Sequence, residues 1–247
     1  MTMDSAYYRQ MYELEDGHWW FVSRRELASR LLVNALGAQT TPHILDLGCG
    51  TGGILDTLAR IGPTTGVDVE GLALDFCRER GHTNVVEASA VRLPFPAESF
   101  DAVVALDVFE HIEDDQMAMN EAFRVLRPGG VGVVTVPAYA WLWSQHDVAL
   151  HHHRRYSQSM LLNRLETAGF IVRHHTYTVS SILPVAWFIR RILGPLRGSG
   201  KPISDIHHTP SWLNSLLIAL LHCENQCAAC CRIPFGVTVV AVVEKPL

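Results

Sequence analysis

No run of roughly 18 uncharged apolar residues occurs in the 247-residue chain, so no membrane-spanning helix is expected. The first residues carry acids and aromatics, with no basic segment leading into an apolar run. No secretory leader is therefore expected, and the cytoplasm is the expected location. An excess of positive charge is also missing. The 25 acidic residues outweigh 20 Lys and Arg, and the net charge of −5 argues against a nucleic-acid partner held by counterion release. Six cysteines without an export signal are expected as reduced thiols. A chain this long buries about 70–75% of its unfolded surface and needs no disulfide or metal staple. Its length suits one α/β domain.

What the chain does have is centred on Ile44-Leu45-Asp46-Leu47-Gly48-Cys49-Gly50-Thr51-Gly52-Gly53. Ile44 to Leu47 read as a short buried strand, and apolar residues at 54, 55, 58 and 61 read as a helix. Between them, glycines at 48, 50 and 52 let the backbone approach a ligand, and free helix N–H groups point at it. Gly48, Gly50 and Gly53 also satisfy G-x-G-x-x-G, the dinucleotide pattern. Asp46 opposes that reading, because a carboxylate two residues before the first glycine repels a pyrophosphate but suits a cationic amino group. Thr64 to Val69 form a second strand ending in Asp68-Val69-Glu70. An acid about 20 residues after the glycine turn, at a strand's carboxyl end, is placed to accept ribose hydroxyls. We assign that role to Asp68.

The motif D-x-G-x-G-x-G resembles motif I of the class I S-adenosylmethionine-dependent methyltransferases. Ser89 to Pro96 followed by Ser99 to Asp107 resemble the G-D-A-x-x-L-P-F…F-D segment of the ubiquinone-biosynthesis (type 11) branch. Asp107-Val108-Phe109-Glu110-His111 resemble its E-H loop, and Arg127-Pro128-Gly129-Gly130 its turn before the fifth strand. The resemblance covers residues 44–136. It implies an α/β, Rossmann-like three-layer sandwich: seven strands, mostly parallel, with an antiparallel last strand. It also implies S-adenosylmethionine as cofactor, S-adenosylhomocysteine as product and a small-molecule acceptor, O-methylation being favoured over N-methylation. The expected cofactor residues are Asp46, Gly48, Cys49, Gly50 and Gly52, then Asp68, Val69, Ser89 and Ala90, with Asp107 and His111 at the methionine end. Ser89 replaces the aspartate with which the branch binds the adenine amino group. Arg24 is the candidate for the methionine carboxylate. Quinone O-methyltransferases resembling this chain hold a divalent ion through E-x-x-E-H. Aspartate stands first here and no fourth ligand is evident, so no metal is expected.

The substrate is expected to be chosen after the fifth strand. Residues 137–156 hold two tryptophans, four histidines and two arginines with no apolar period. This segment resembles an H-D…H-x-R-R-Y element of a bacterial methyltransferase branch. A hydroxyl acceptor needs a base with pKa near 7, and histidine fits. His146 beside Asp147 is the first candidate, and His152 the second. Trp20, Tyr139, Trp143 and Tyr156 are candidate acceptor contacts, while Arg154 and Arg155 suit an acceptor carboxylate or phosphate.

Four regions are expected: an N-terminal helical cap or lid (1–40), the cofactor-binding core (41–180), a helical insertion (181–235) and a final core strand (236–247). Ser23-Arg24-Arg25-Glu26 reads as a capping box opening a helix that stops at Gly37. Within the insertion, Gly194 to Pro210 read as a mobile linker between two apolar helices, the second capped by Ser211. These helices are candidates for peripheral membrane contact or a homodimer. Cys223, Cys227 and Cys230 share one helical face and lack the paired hairpins of a zinc site, so burial in packing is the expected role. Two rival functions stay open: a nicotinamide oxidoreductase, and a non-catalytic sensor of the cofactor.

Overall fold

The computed structural model describes residues 5–39, 41–193 and 208–247. The chain begins with two helices, α1 (Ser5–Leu14) and α2 (Trp19–Leu36), and then alternates strands with helices. In order these are β1 (Ile44–Leu47), α3 (Leu55–Ala59), β2 (Thr64–Asp68), α4 (Gly71–Glu79), β3 (Val85–Glu87) and β4 (Phe100–Leu106). Then come α5 (Asp115–Val125), β5 (Leu126–Pro137), α6 (Gln145–Ala149), α7 (Gln158–Thr167) and β6 (Ile171–Thr178). The insertion supplies α8 (Leu183–Phe188), continued by a π-helical turn over Ile189–Leu193, and α9 (Ser211–Cys230); β7 (Thr238–Glu244) ends the fold.

The seven strands form one sheet in the order β3-β2-β1-β4-β5-β7-β6. The first five pair in parallel, and β7 runs antiparallel between β5 and β6. Strands covered on both faces read as near-continuous apolar runs, and all four residues of β1 are buried, Asp46 being the one polar side chain among them. Along β4, Ala102 and Val104 join Leu27, Leu31, Leu58 and Ala228 on one face. Val103 and Ala105 face the other way, against Met119, Val125 and Leu161. The order reverses between β1 and β4. At such a switch point the crossovers leave in opposite directions and open a crevice beyond the strand ends, where ligands of this sheet type sit.

Local chemistry sets most element ends. Asp114 accepts from the Met117 N–H at 3.0 Å to open α5, and Ser157 accepts from the Met160 N–H at 3.1 Å to open α7. The expected capping box at Ser23 is not formed. α2 begins five residues before Arg24, where the His18 ring accepts from the Trp20 N–H at 3.3 Å. Ser23 is buried inside the helix, and its carbonyl accepts from the Asn225 side chain of α9 at 2.8 Å. Ser211 likewise does not cap: Pro210 precedes α9 and no side-chain cap is present. β5 already starts at Leu126, which pairs with Phe100, so Arg127-Pro128-Gly129-Gly130, expected as a turn before the fifth strand, lies within it.

Of the expected linker, residues 194–207 lie outside the described residues. Among the described residues, no helix is long and apolar enough to cross a membrane. Cys223, Cys227 and Cys230 on α9, and Cys231 just after it, are exposed rather than packed inside. The reason is that α9 turns only Leu221, Asn225 and Ala228 fully inward, toward α2 and the sheet. α8 and α9 also expose Trp187, Phe188, Trp212 and Leu216.

Candidate functional site

One cavity of about 940 Å³ opens over the carboxyl ends of β1, β2 and β4. Its floor is the glycine loop. Gly48 has φ +73°, and a Cβ there would stand 2.5 Å from Val108 Cγ2. Gly50 has φ +53°, where a Cβ would stand 2.9 Å from Met11 Cε. Both positions therefore demand glycine on backbone and contact grounds together. Cys49 and Gly53 also reach the wall; Gly52 does not. The chain at Gly52 turns outward toward α4, where a Cβ would meet Cys77 Sγ at 3.1 Å.

Two acids stand beside this loop. Asp46 is 2% exposed, and its Oδ2 has no hydrogen-bond partner. Burial pushes its carboxyl from 3.8 up to about 7, and the negative charge of Asp68 adds to the shift. A buried carboxylate left this way is costly unless a cation arrives. Asp68 closes β2 and accepts from the Gly50 N–H at 2.9 Å and the Glu70 N–H at 3.0 Å. Burial raises its carboxyl too, against the lowering effect of those N–H groups. Val69, Ser89 and Ala90 line the next part of the wall.

Beyond the loop, Asp107 takes a φ of +55°. Its side chain is held by an ion pair with Arg24 and by a 2.8 Å hydrogen bond from Thr135 Oγ1. Arg24 thus reaches the cavity as expected, and α2 brings it there. Next come Glu110, His111 and His152. Glu110 is 1% exposed with neither carboxylate oxygen partnered, and burial followed by the charge of Asp107 drives its carboxyl well above the usual range. Burial and the neighbouring His152 lower His111 from 6.5 to about 3, so this ring is neutral.

The segment after β5 divides its residues sharply. His146 and His152 line the cavity, with ring centroids 6.1 Å apart. Asp147 lies behind them, fully buried, and bonds His152 rather than His146: Oδ1 meets His152 Nδ1 at 2.9 Å. Arg155 Nε donates to the same oxygen at 2.6 Å. Burial alone would raise Asp147, but the bonds from His152 and Arg155 hold it well below the usual carboxylate range.

Trp20 is on the cavity wall, but Tyr139, Trp143, Arg154 and Tyr156 are not. Tyr139 stacks between Trp141 and Tyr177 at centroid distances of 5.0 and 5.3 Å, and Trp143 is exposed. Arg154 donates to the carbonyls of Ile112 and Glu113 at 2.6 and 2.7 Å, and Tyr156 donates to Asp115 at 2.5 Å. Arg155 lines the cavity, yet its donors go to Asp147 and to the Ala138 carbonyl at 3.1 Å. These three side chains hold the loop in place.

Several wall residues escaped the sequence reading. Tyr7, Tyr8 and Met11 come from α1, which packs on α4 through a Tyr12–Phe76 stack at 4.6 Å. Val185, Ala186, Ile189 and Arg190 come from α8 and its π turn. The early aromatic cluster signalled the first group. Nothing in the apolar period of 182–193 distinguishes a cavity wall from core packing, so the second group had no signal.

Residues 45–134 match a family model described as a methyltransferase domain. A probable S-adenosylmethionine-dependent methyltransferase of Mycolicibacterium smegmatis is 32% identical over 64% of this chain and 62% of its own length. A sterol 24-C-methyltransferase of Yarrowia lipolytica is 28% identical over 71% of this chain. This chain therefore spans only about half to three-fifths of these two relatives, the second by 50%. The O-methyltransferase resE of Aspergillus sclerotiorum is 26% identical over 85% of this chain and 88% of its own. Among solved structures, a putative methyltransferase in complex with the Haloferax volcanii Trm112 activator matches with a TM-score of 0.62 at 19% identity, covering 98% and 94% of the two chains. The [4+2]-cyclase SpnF matches with a TM-score of 0.56 at 24% identity, over 89% and 80%. The shared fold thus does not by itself dictate the reaction.

Proposed function

Because the chain belongs to the class I S-adenosylmethionine-dependent methyltransferases, we propose that it methylates a hydroxyl of a small, largely apolar acceptor. The observation that carries this is continuity. One cavity joins the glycine loop and its acids to a histidine cluster and then to an apolar wall. The residues fit the cofactor. The orphaned Asp46 oxygen calls for a cation and would hold the ammonium, while Asp68 would hold the ribose hydroxyls. Ser89 would accept from the adenine amino group, and Arg24, oriented by Asp107, would meet the carboxylate. When bound, S-adenosylmethionine supplies an electrophilic methyl group for in-line displacement.

The chain's own residues do the rest. Trp20, Val179, Ile182 and Ile189 exclude water around the acceptor, which aligns it and removes competing hydrogen bonds. A neutral hydroxyl must lose a proton as the new bond forms, and His146 and His152 are the bases on this part of the wall. Asp147 fixes His152 through Nδ1, which leaves the Nε2 lone pair for the cavity. α8, which gives Val185 and Ala186 to the wall, also exposes Trp187 and Phe188, where a membrane surface or a second copy would deliver or cover the acceptor.

The test is release of S-adenosylhomocysteine with a panel of apolar phenols and hydroxylated acids. Replacing both His146 and His152 by Ala should lower turnover at least 100-fold while S-adenosylhomocysteine binding persists. Unchanged turnover would remove the histidines from the chemistry. Cofactor binding without turnover of any acceptor by the wild type would favour a sensor.

Asp46 makes cofactor affinity depend on pH. Its folded pKa of about 7 lies above the ordinary 3.8, so its contribution to apo stability is full below about pH 4 and is lost as pH rises toward 7. Binding an ammonium needs the ionised form. S-adenosylhomocysteine affinity should therefore rise up to about tenfold per unit between pH 5 and 7, then level off. In Asp46→Asn it should be weak and flat, read by calorimetry across that range. A wild-type profile equally flat would refute the role.

A further inference from the structure

The last glycine of the G-x-G-x-x-G pattern serves a contact inside the protein. Gly53 is not among the residues of positive φ, so its backbone does not require glycine. A Cβ there would instead collide with the Glu15 carboxylate, which stands at the end of α1. Glu15 is 5% exposed and pinned in place. Thr51 Oγ1 of the glycine loop donates to it at 2.5 Å, and Arg80 Nη2 donates to the same oxygen at 3.0 Å. A carboxylate held this way cannot step aside, so glycine at 53 makes room for it.

Arg80, the residue after α4, is the centre of this contact. Its Nε donates to the Thr51 carbonyl at 3.0 Å, and Nη2 donates to the Tyr12 carbonyl at 3.1 Å. The guanidinium also lies 4.5 Å from the Tyr12 ring centroid, a favourable cation–π position. One side chain thus ties the glycine loop to α1 and its end. The further pair with Asp16, at 2.9 Å, is to a carboxylate that is 68% exposed and adds little.

α1 depends on such a tie. It has 10 residues, of which Tyr8 and Leu14 are buried. Isolated helices shorter than about 12–15 residues are marginal in water. Yet α1 lays Tyr7, Tyr8 and Met11 on the cavity, and Met11 Cε reaches the space above Gly50. A cofactor seated on the glycine loop therefore lies beneath α1.

We propose that α1 is a lid over the cofactor, latched by Arg80 and Glu15, and that Arg80 sets the rate of cofactor and product exchange without touching either. Arg80 is not on the cavity wall, so it acts as a positioning residue. The role rests on the cofactor reading above. It also carries a kinetic signature. A lid admits and releases ligand by the same path, so a weakened latch speeds association and dissociation together. Damage to the loop's shape would speed dissociation alone.

The test is stopped-flow binding and release of S-adenosylhomocysteine on the full chain, joined to hydrogen exchange of the empty protein. In Arg80→Met both rate constants should rise about tenfold, the equivalent of one hydrogen bond to a charged group. Glu15→Gln should move both in the same direction by less. Arg80→Lys should recover part of the loss, because an ammonium still pairs with Glu15 but lacks the fork. Gly53→Ala displaces Glu15 with Arg80 intact and should also accelerate both. In empty Arg80→Met, α1 amides should exchange about tenfold faster while those of β4 and β5 stay as in the wild type. Unchanged rates in Arg80→Met, faster dissociation alone, or α1 amides as protected as in the wild type would each overturn the latch. So would faster exchange throughout β4 and β5 in both Arg80→Met and Glu15→Gln, which would make the cluster part of the fold. Absence of S-adenosylhomocysteine binding by the wild type would refute the cofactor reading instead, and hydrogen exchange would still decide whether Arg80 holds α1 down.

Discussion

Replacing Asp68 by Ala should lower S-adenosylhomocysteine affinity by at least about 100-fold, measured by calorimetry, with little change in melting temperature. Two ribose hydroxyls donating to a carboxylate are charge-assisted bonds, each worth about 1.5–3 kcal/mol. The same carboxylate also accepts from the Gly50 and Glu70 N–H groups, so the substitution releases the loop that carries the cofactor. Stability should hold because keeping Asp68 ionised is costly in the empty protein: burial raises its pKa, and its charge raises that of Asp46. The second effect gives an independent readout. With Asp68 gone, Asp46 should ionise at lower pH, and whatever pH dependence of binding remains should move down with it. A loss of affinity below threefold would place the ribose elsewhere. A collapse in melting temperature would mean that Asp68 serves the fold.

The central sheet was legible because strands covered on both faces read as near-continuous apolar runs, as β1, β4 and β7 do apart from Asp46, Asp101, Thr238 and Glu244. The glycine loop was legible because its demands are local: positive φ and close contact at Gly48 and Gly50. The histidine site was legible only in part. His146 was favoured for standing next to Asp147, yet successive helical residues point about 100° apart. A turn after α6 folds the chain back, so that the residue five positions on receives the bond instead. The structural duties of the loop cations were hidden for a related reason. A long buried-loop connection must satisfy its own carbonyls and acids; Arg154 and Arg155 do this at Ile112, Glu113, Ala138 and Asp147 rather than facing an acceptor. The Ser23 pattern failed because aromatic residues before it already extend the helix back to Trp19. The α8 wall was invisible, since an apolar helix reads the same whether it lines a cavity or packs in a core.

Those loop contacts make Asp115 the position where a single substitution should cost the fold most. It is 1% exposed and accepts from Tyr156 Oη at 2.5 Å, with Arg154 at 3.1 Å and Arg164 paired to its other oxygen. Asp115→Ala leaves a buried phenol without its acceptor and two arginines without their carboxylate, and breaking a buried pair from one side costs about 3–5 kcal/mol. For a chain of this size that is a fall of roughly 10 °C in melting temperature. Asp115→Asn keeps an acceptor but not the charge and should fall between the two. The effect on function should be uneven. Asp115 is not on the cavity wall, so S-adenosylhomocysteine affinity at a temperature where the variant is folded should stay within a few-fold of wild type. Tyr156, however, bridges to Ala138 at the end of β5 and so anchors the far end of the segment carrying His146 and His152. Turnover should therefore drop much more than binding. Equal losses of both would mean that the loop and the cofactor site unfold together, and an unchanged melting temperature would mean that the arginines find solvent without cost.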